Sequence, residues 1–150
     1  MEKLNPINAV IFDLDGTLSD CTHRMHYLDN KPKDFDSFYG TMGDDTVVKP
    51  VASMLRSLSG VSKLILTARP VSYSYITKEW LSKHDLLSHV QRVYMRPDEQ
   101  RRIPDYLYKQ SMIDVIRKEY NILLVIDDRD RVVDMWRENG IYCLQAKSIK

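Results

Sequence analysis

Asp13 and Asp15, one residue apart at the end of the apolar run Ala9-Val10-Ile11-Phe12, are the first groups in the chain arranged for chemistry. An extended chain repeats every two residues, so this pattern puts both carboxylates on one side, and Gly16 lets the chain turn away behind them. Two converging carboxylates taken out of water need a cation or a shared proton. Oxygen donors of this kind suit a hard divalent ion such as Mg2+. Asp-Gly is also an ordinary turn signal, so the inference depends on what the rest of the chain brings to the same place.

The elements that must position these groups follow from periodicity. Apolar runs predict strands over about 7–13, 61–67, 90–95, 121–127 and 141–144. Between them, helical spacing, Pro at the starts and Gly at the stops predict helices over about 49–59, 72–83, 104–119 and 129–139. The helix opened by Pro104 and Asp105 is expected to turn Leu107, Ile113 and Ile116 inward. Residues 19–46 are polar and aromatic, with room for one short helix over about 34–41, and read as a small flap over the end of the first strand. Strands alternating with helices predict an α/β fold: a Rossmann-like, five-stranded parallel sheet with helices on both faces and right-handed crossovers. In such sheets ligands gather at the carboxyl ends of the strands. Three of the predicted strands end there in polar clusters: Asp13/Asp15, Thr67/Arg69 and Asp127/Asp128.

A chain of 150 residues is the size of one ordinary domain, and the expectation is a single domain over 1–150 with its cap at about 19–46. With 22 basic and 21 acidic residues, the net charge of +1 calls for no polyanion or membrane partner, so any attraction to nucleic acid is local. Cys21 and Cys143 fit neither a disulfide framework nor a metal pattern. Nothing reads as a signal peptide or a membrane span, and a cytoplasmic protein is expected.

The string Asp13-Leu14-Asp15-Gly16-Thr17-Leu18 resembles the first motif of the haloacid dehalogenase-like phosphohydrolases. That resemblance implies Asp13 as the nucleophile that attacks phosphorus and Asp15 as general acid and base. Thr67-Ala68-Arg69 resembles the second motif, which implies that Thr67 holds a phosphate oxygen. Arg69, planar and always charged, suits a further phosphate contact. Lys109 is the candidate for the third motif's lysine, neutralising nucleophile and phosphoryl oxygens, although a helical lysine taken alone reads as a surface residue. Asp127-Asp128 resembles the fourth motif, the acidic pair that completes a Mg2+ site with Asp13 and Asp15.

Within that superfamily, Asp13 to Arg24, Thr67 to Arg69, Asp105 to Lys109 and Ile126 through Arg137 look like the 3'-phosphatase domain of phage polynucleotide kinase-phosphatases. The resemblance implies roles for Arg24, eleven residues beyond the nucleophile, and for Arg129 after the acidic pair. It implies 3'-phosphorylated nucleic acid ends as substrate. The chain has no Gly-x-x-x-x-Gly-Lys-Ser/Thr loop, so no kinase half is expected on it; a separate kinase or ligase is the partner this resemblance implies. The alternatives are hydrolysis of nucleoside monophosphates or another small phosphate ester, and a catalytically silent phosphate-end or nucleic-acid binding module. The charged loop Arg96 to Arg102 reads as solvated or as a phosphate-binding rim. Tyr27, Phe35 or Tyr39 could stack on a base.

Overall fold

Strand β1 (Ile7–Phe12) lies at the centre of the sheet because its side chains are apolar in both directions. Ala9 and Ile11 enter one core while Val10 and Phe12 enter another, as the two-residue pleat requires. A computed structural model describes residues 6–147. Around β1 stand β4 (Ser62–Pro70), β5 (Arg92–Arg96), β6 (Tyr120–Asp127) and β7 (Cys143–Gln145), all parallel, in the order β5-β4-β1-β6-β7. The expected five-stranded parallel sheet is present.

Helices cover both faces. Helices α2 (Lys49–Ser57) and α3 (Ser74–Lys83) supply Ala52, Leu55, Trp80 and Leu81 to the core containing Val10 and Phe12. Helices α4 (Asp105–Arg117) and α5 (Asp130–Glu138) supply Tyr108, Ile113, Ile116, Val133 and Trp136 to the opposite core. One expected contact is corrected: Leu107 is 43% exposed, and Tyr108 and Lys109 turn inward in its place. The inward stripe is Lys109, Ile113 and Ile116, spaced i, i+4, i+7, and Leu107 falls outside it.

The segment after β1 is bounded by a two-residue antiparallel pairing of β2 (Ser19–Asp20) with β3 (Thr46–Val47). Between them lie a 3-10 helical stretch, Thr22–Asp29, and the short helix α1 (Phe35–Gly40), capped by Asp34 accepting from the N–H of Ser37. The 3-10 stretch was not apparent from periodicity. It carries a single buried residue, Arg24.

Candidate active site

Asp13 is the residue after β1, and its N–H donates to the carbonyl of Ile126 on the neighbouring strand. This pairing brings the end of β1 beside the end of β6, where Asp127 and Asp128 follow. Lys109 Nζ donates to Asp13 Oδ1 at 2.8 Å and to Asp127 Oδ2 at 2.7 Å, and the lysine is buried. Thr17 Oγ1 donates to Asp13 Oδ2 at 3.0 Å, and Trp136 Nε1 reaches Asp127 Oδ2 at 3.5 Å. Carboxylate oxygens of Asp13, Asp127 and Asp128 all lie within 4.8 Å of one another.

Three carboxylates gather near one ammonium, which donates to two of them, and the balance shows in their proton affinities. Burial, opposed by Lys109 and reinforced by Asp128, raises the Asp13 carboxyl to about 7. Burial and the nearby Asp13 raise Asp127 to about 6 against the pull of Lys109. Burial also raises Asp128. Burial opposes the charge on Lys109, yet Asp127 and Asp13 hold its proton affinity above the ordinary lysine value. The group is therefore short of positive charge, and its donors are all oxygen. Both properties fit a hard divalent cation such as Mg2+.

Backbone geometry keeps this cluster close. Gly16 has φ of +84°, and a Cβ built there would stand 2.1 Å from Asp128 Oδ2. Glycine is thus required twice over, for the turn and for the approach of Asp128 to it.

Asp15 does not join the acidic cluster. Strand β1 stops at Phe12, and the carbonyl of Leu14 accepts from the N–H groups of Thr17, Leu18 and Ser19, so two-residue alternation does not extend to Asp15. Its carboxylate is gripped instead by two arginines. Arg69 donates from Nε to Oδ2 at 3.0 Å and from Nη2 to Oδ1 at 2.7 Å, and Arg24 Nη2 donates to the same Oδ1. Although burial works the other way, Arg69 and Arg24 together hold Asp15 well below the usual carboxylate range. Of the four carboxylates expected around a metal, the fold groups Asp13, Asp127 and Asp128 and leaves the Asp15 side chain with the guanidiniums.

Behind the arginines is a residue that the sequence did not single out. Asp45, 2% exposed, accepts from Arg24 Nε at 2.8 Å and Nη2 at 2.7 Å, from Arg69 Nη2 at 3.4 Å, and lies 2.7 Å from His23 Nε2. Trp80 Nε1 donates to the Asp45 carbonyl at 2.8 Å, and Thr77 Oγ1 accepts from Arg69 Nη1 at 3.1 Å. Arg24 also donates to the carbonyl of Phe38 and lies 4.4 Å over that ring. Two buried guanidiniums are thereby balanced by two carboxylates, as buried charge requires.

The remaining expected residues divide. Thr67 is buried in β4, its Oγ1 accepting from the N–H of Arg69 at 3.2 Å, which leaves its own proton to donate. Arg129 is not drawn in: its side chain is 66% exposed and paired with Asp105, joining the starts of α5 and α4.

The model of the polynucleotide kinase PNKP phosphatase domain matches residues 7–149. The chain belongs to this family. A bifunctional polynucleotide kinase/RNA ligase of Autographa californica nuclear polyhedrosis virus is 32% identical over 135 residues, covering 87% of this chain and 18% of the viral protein. A chain in the structure of the Pnkp1/Rnl/Hen1 RNA repair complex superposes with a TM-score of 0.81 at 30% identity, over 95% of this chain and 43% of that one. The chain thus spans less than half the length of these relatives. A haloacid dehalogenase-like hydrolase from Streptococcus pneumoniae, 18% identical, shares the fold with a TM-score of 0.62 over 93% of this chain and 84% of its own. The domain is a phosphatase of the haloacid dehalogenase-like type. No helix among the described residues is long and apolar enough to cross a membrane.

Proposed function

We propose that the chain is a Mg2+-dependent phosphomonoesterase that removes 3'-phosphate from polynucleotide ends through an aspartyl-phosphate on Asp13. The observation that carries this reading is the pairing of a buried Asp13, held by Lys109, with an Asp15 clamped by Arg24 and Arg69. One carboxylate is prepared for attack and the other is held beside phosphate-binding cations.

Asp13, Asp127 and Asp128 would hold Mg2+, which supplies charge neutralisation at the phosphoryl oxygens. Thr67 and Arg69 orient the phosphate by hydroxyl and guanidinium donors, and Lys109 favours the anionic form of Asp13 and aims it. Asp13 attacks phosphorus as the bond to the 3'-oxygen breaks. Asp15 gives the leaving oxygen its proton, then takes one from the water that cleaves the aspartyl-phosphate. A phosphate that draws Arg69 and Arg24 toward its own oxygens frees Asp15 from two cations and raises its proton affinity, which suits it to act as acid. Segment 19–46 acts as a cap within a single domain, since it delivers Arg24 and Asp45 to the site. The 3'-hydroxyl product is the end that a ligase joins to a 5'-phosphate, in keeping with the kinase, ligase and repair-complex names of the relatives.

Phosphate release from a 3'-phosphorylated oligonucleotide, a 5'-phosphorylated oligonucleotide and mononucleotides, each with Mg2+, tests the reading. A kcat/KM for the 3'-phosphorylated oligonucleotide at least about tenfold above the others is expected. Release from mononucleotides but not from that oligonucleotide would move the substrate to small esters, and an inert wild type would favour a binding module.

A further inference from the structure

Beside Arg69 the cap and the sheet edge leave a cleft of about 310 Å3, lined by Phe35, Tyr39, Tyr73, Arg96, Arg101 and Arg102 among others. That volume is in the range of small-molecule sites. Its floor is aromatic: Tyr39 lies 6.2 Å from Phe35 at an interplanar angle of 19° and 5.0 Å from Tyr73. Phe35 is 49% exposed, so the platform presents ring area to solvent.

The rim is cationic. Of the charged lining residues, Arg96, Arg101 and Arg102 face Asp36 and Asp98, and Asp98 Oδ1 is already accepting from the N–H of Ser72 at 3.1 Å. Arg96 is 7% exposed; its Nη1 donates to the carbonyl of Ile103, while its Nε–H has no hydrogen-bond partner among the described residues. A buried guanidinium N–H without a partner is costly and marks a place where an acceptor belongs.

The cleft adjoins the catalytic groups. Pro70 in its wall follows Arg69, and Tyr39 follows Phe38, whose carbonyl and ring both contact Arg24. The Tyr39 hydroxyl, raised above its ordinary value by burial, feels Arg96 and Arg24 on one side of the balance and Asp15 on the other.

We infer that this cleft seats the 3'-terminal nucleoside of a single strand, its base on Phe35, Tyr39 and Tyr73 and its 5'-side phosphodiester toward Arg96, Arg101 and Arg102. Sequence-tolerant stacking with a basic track is how single strands are held. The inference rests on the 3'-end reading above, but its test does not. Tyr27, the other aromatic singled out in the sequence, is not among the lining residues.

Competitive inhibition of p-nitrophenyl phosphate hydrolysis by a 3'-hydroxyl trinucleotide gives the binding constant directly. The comparison is with the same trinucleotide carrying an abasic 3'-terminal sugar. Loss of the base is expected to weaken inhibition at least about tenfold in the wild type and less than about twofold in Tyr39→Ala, while Tyr39→Phe keeps most of the difference and reports an intact fold. Arg101→Ala with Arg102→Ala should weaken both inhibitors alike and flatten their salt dependence. Equal inhibition by the two trinucleotides in the wild type, or a base effect that survives in Tyr39→Ala, would overturn the inference. Base-dependent inhibition without hydrolysis of a 3'-phosphorylated oligonucleotide would sink the 3'-end reading and leave the cleft standing; hydrolysis without base dependence would do the reverse.

Discussion

Lys109 Nζ bridges Asp13 Oδ1 and Asp127 Oδ2 at 2.8 and 2.7 Å, so a single buried ammonium ties the end of β1 to the end of β6 from α4. Its removal strands two carboxylates. Lys109→Met should lower stability by about 3 kcal/mol at neutral pH, and by less under acid conditions where the carboxyls are protonated. Phosphate release should fall at least about a hundredfold. Denaturant unfolding at two pH values, beside a phosphate assay, reads both effects.

Without metal, the same cluster makes stability depend on pH in an unusual direction. In the folded chain burial raises Asp13 to about 7 and Asp127 to about 6, whereas both titrate near 4 when unfolded, about the ordinary value. Between about pH 4 and 7 the folded state binds more protons, so stability falls as pH rises. Asp15 has the opposite shift, and its contribution is already complete above its unfolded value, so it adds no slope in this window. Melting in chelator should show Tm dropping by about 5 °C or more from pH 5 to pH 8. Excess Mg2+ should flatten the curve. A Tm that climbs over this range in chelator would contradict the arrangement.

Gly16 meets Asp128 where any side chain would collide. Gly16→Ala places a methyl 2.1 Å from Asp128 Oδ2 at a φ of +84°, so Asp128 must swing away. The expected result is a loss of roughly 1–3 kcal/mol in stability together with weaker Mg2+ binding, the activity curve shifting to higher Mg2+ concentration. Isothermal titration with Mg2+ and activity against Mg2+ concentration both report it.

Asp45 acts through the arginines it holds. Asp45→Asn removes one of two carboxylates facing Arg24 and Arg69, so the guanidiniums lose their fixed position. A decrease of about tenfold to a hundredfold in kcat/KM, appearing more in KM than in kcat, is expected for misplaced phosphate donors. An unchanged KM would show that the pair holds the cap alone.

How far the sequence reveals this molecule depends on which signals are periodic. The five strands are legible because each contains an apolar stretch, and the clusters at Asp13, Thr67/Arg69 and Asp127/Asp128 are legible because polar residues end the runs of β1, β4 and β6. The inward turn of Lys109 is readable in its i, i+4, i+7 relation to Ile113 and Ile116, a spacing that Leu107 does not share. The direction of Asp15 was not readable, since the pleat that would predict it ends at Phe12. Asp45 was hidden for another reason: it is one acid in an aperiodic polar segment, and its partners Arg24 and Arg69 are 21 and 24 residues away. Arg129 kept its place in the motif but turned to Asp105.

In the proposed reaction Asp13 takes the phosphoryl group from a 3'-end. Rapid acid quench of a single turnover with a 3'-phosphorylated oligonucleotide, followed by mass spectrometry of the Asp13 peptide, tests it most directly. One phosphoryl group on Asp13 that rises ahead of free phosphate and decays as phosphate appears is expected, and none in Asp13→Asn. Free phosphate appearing with no phosphorylated Asp13, or a phosphoryl group on another residue, would contradict it.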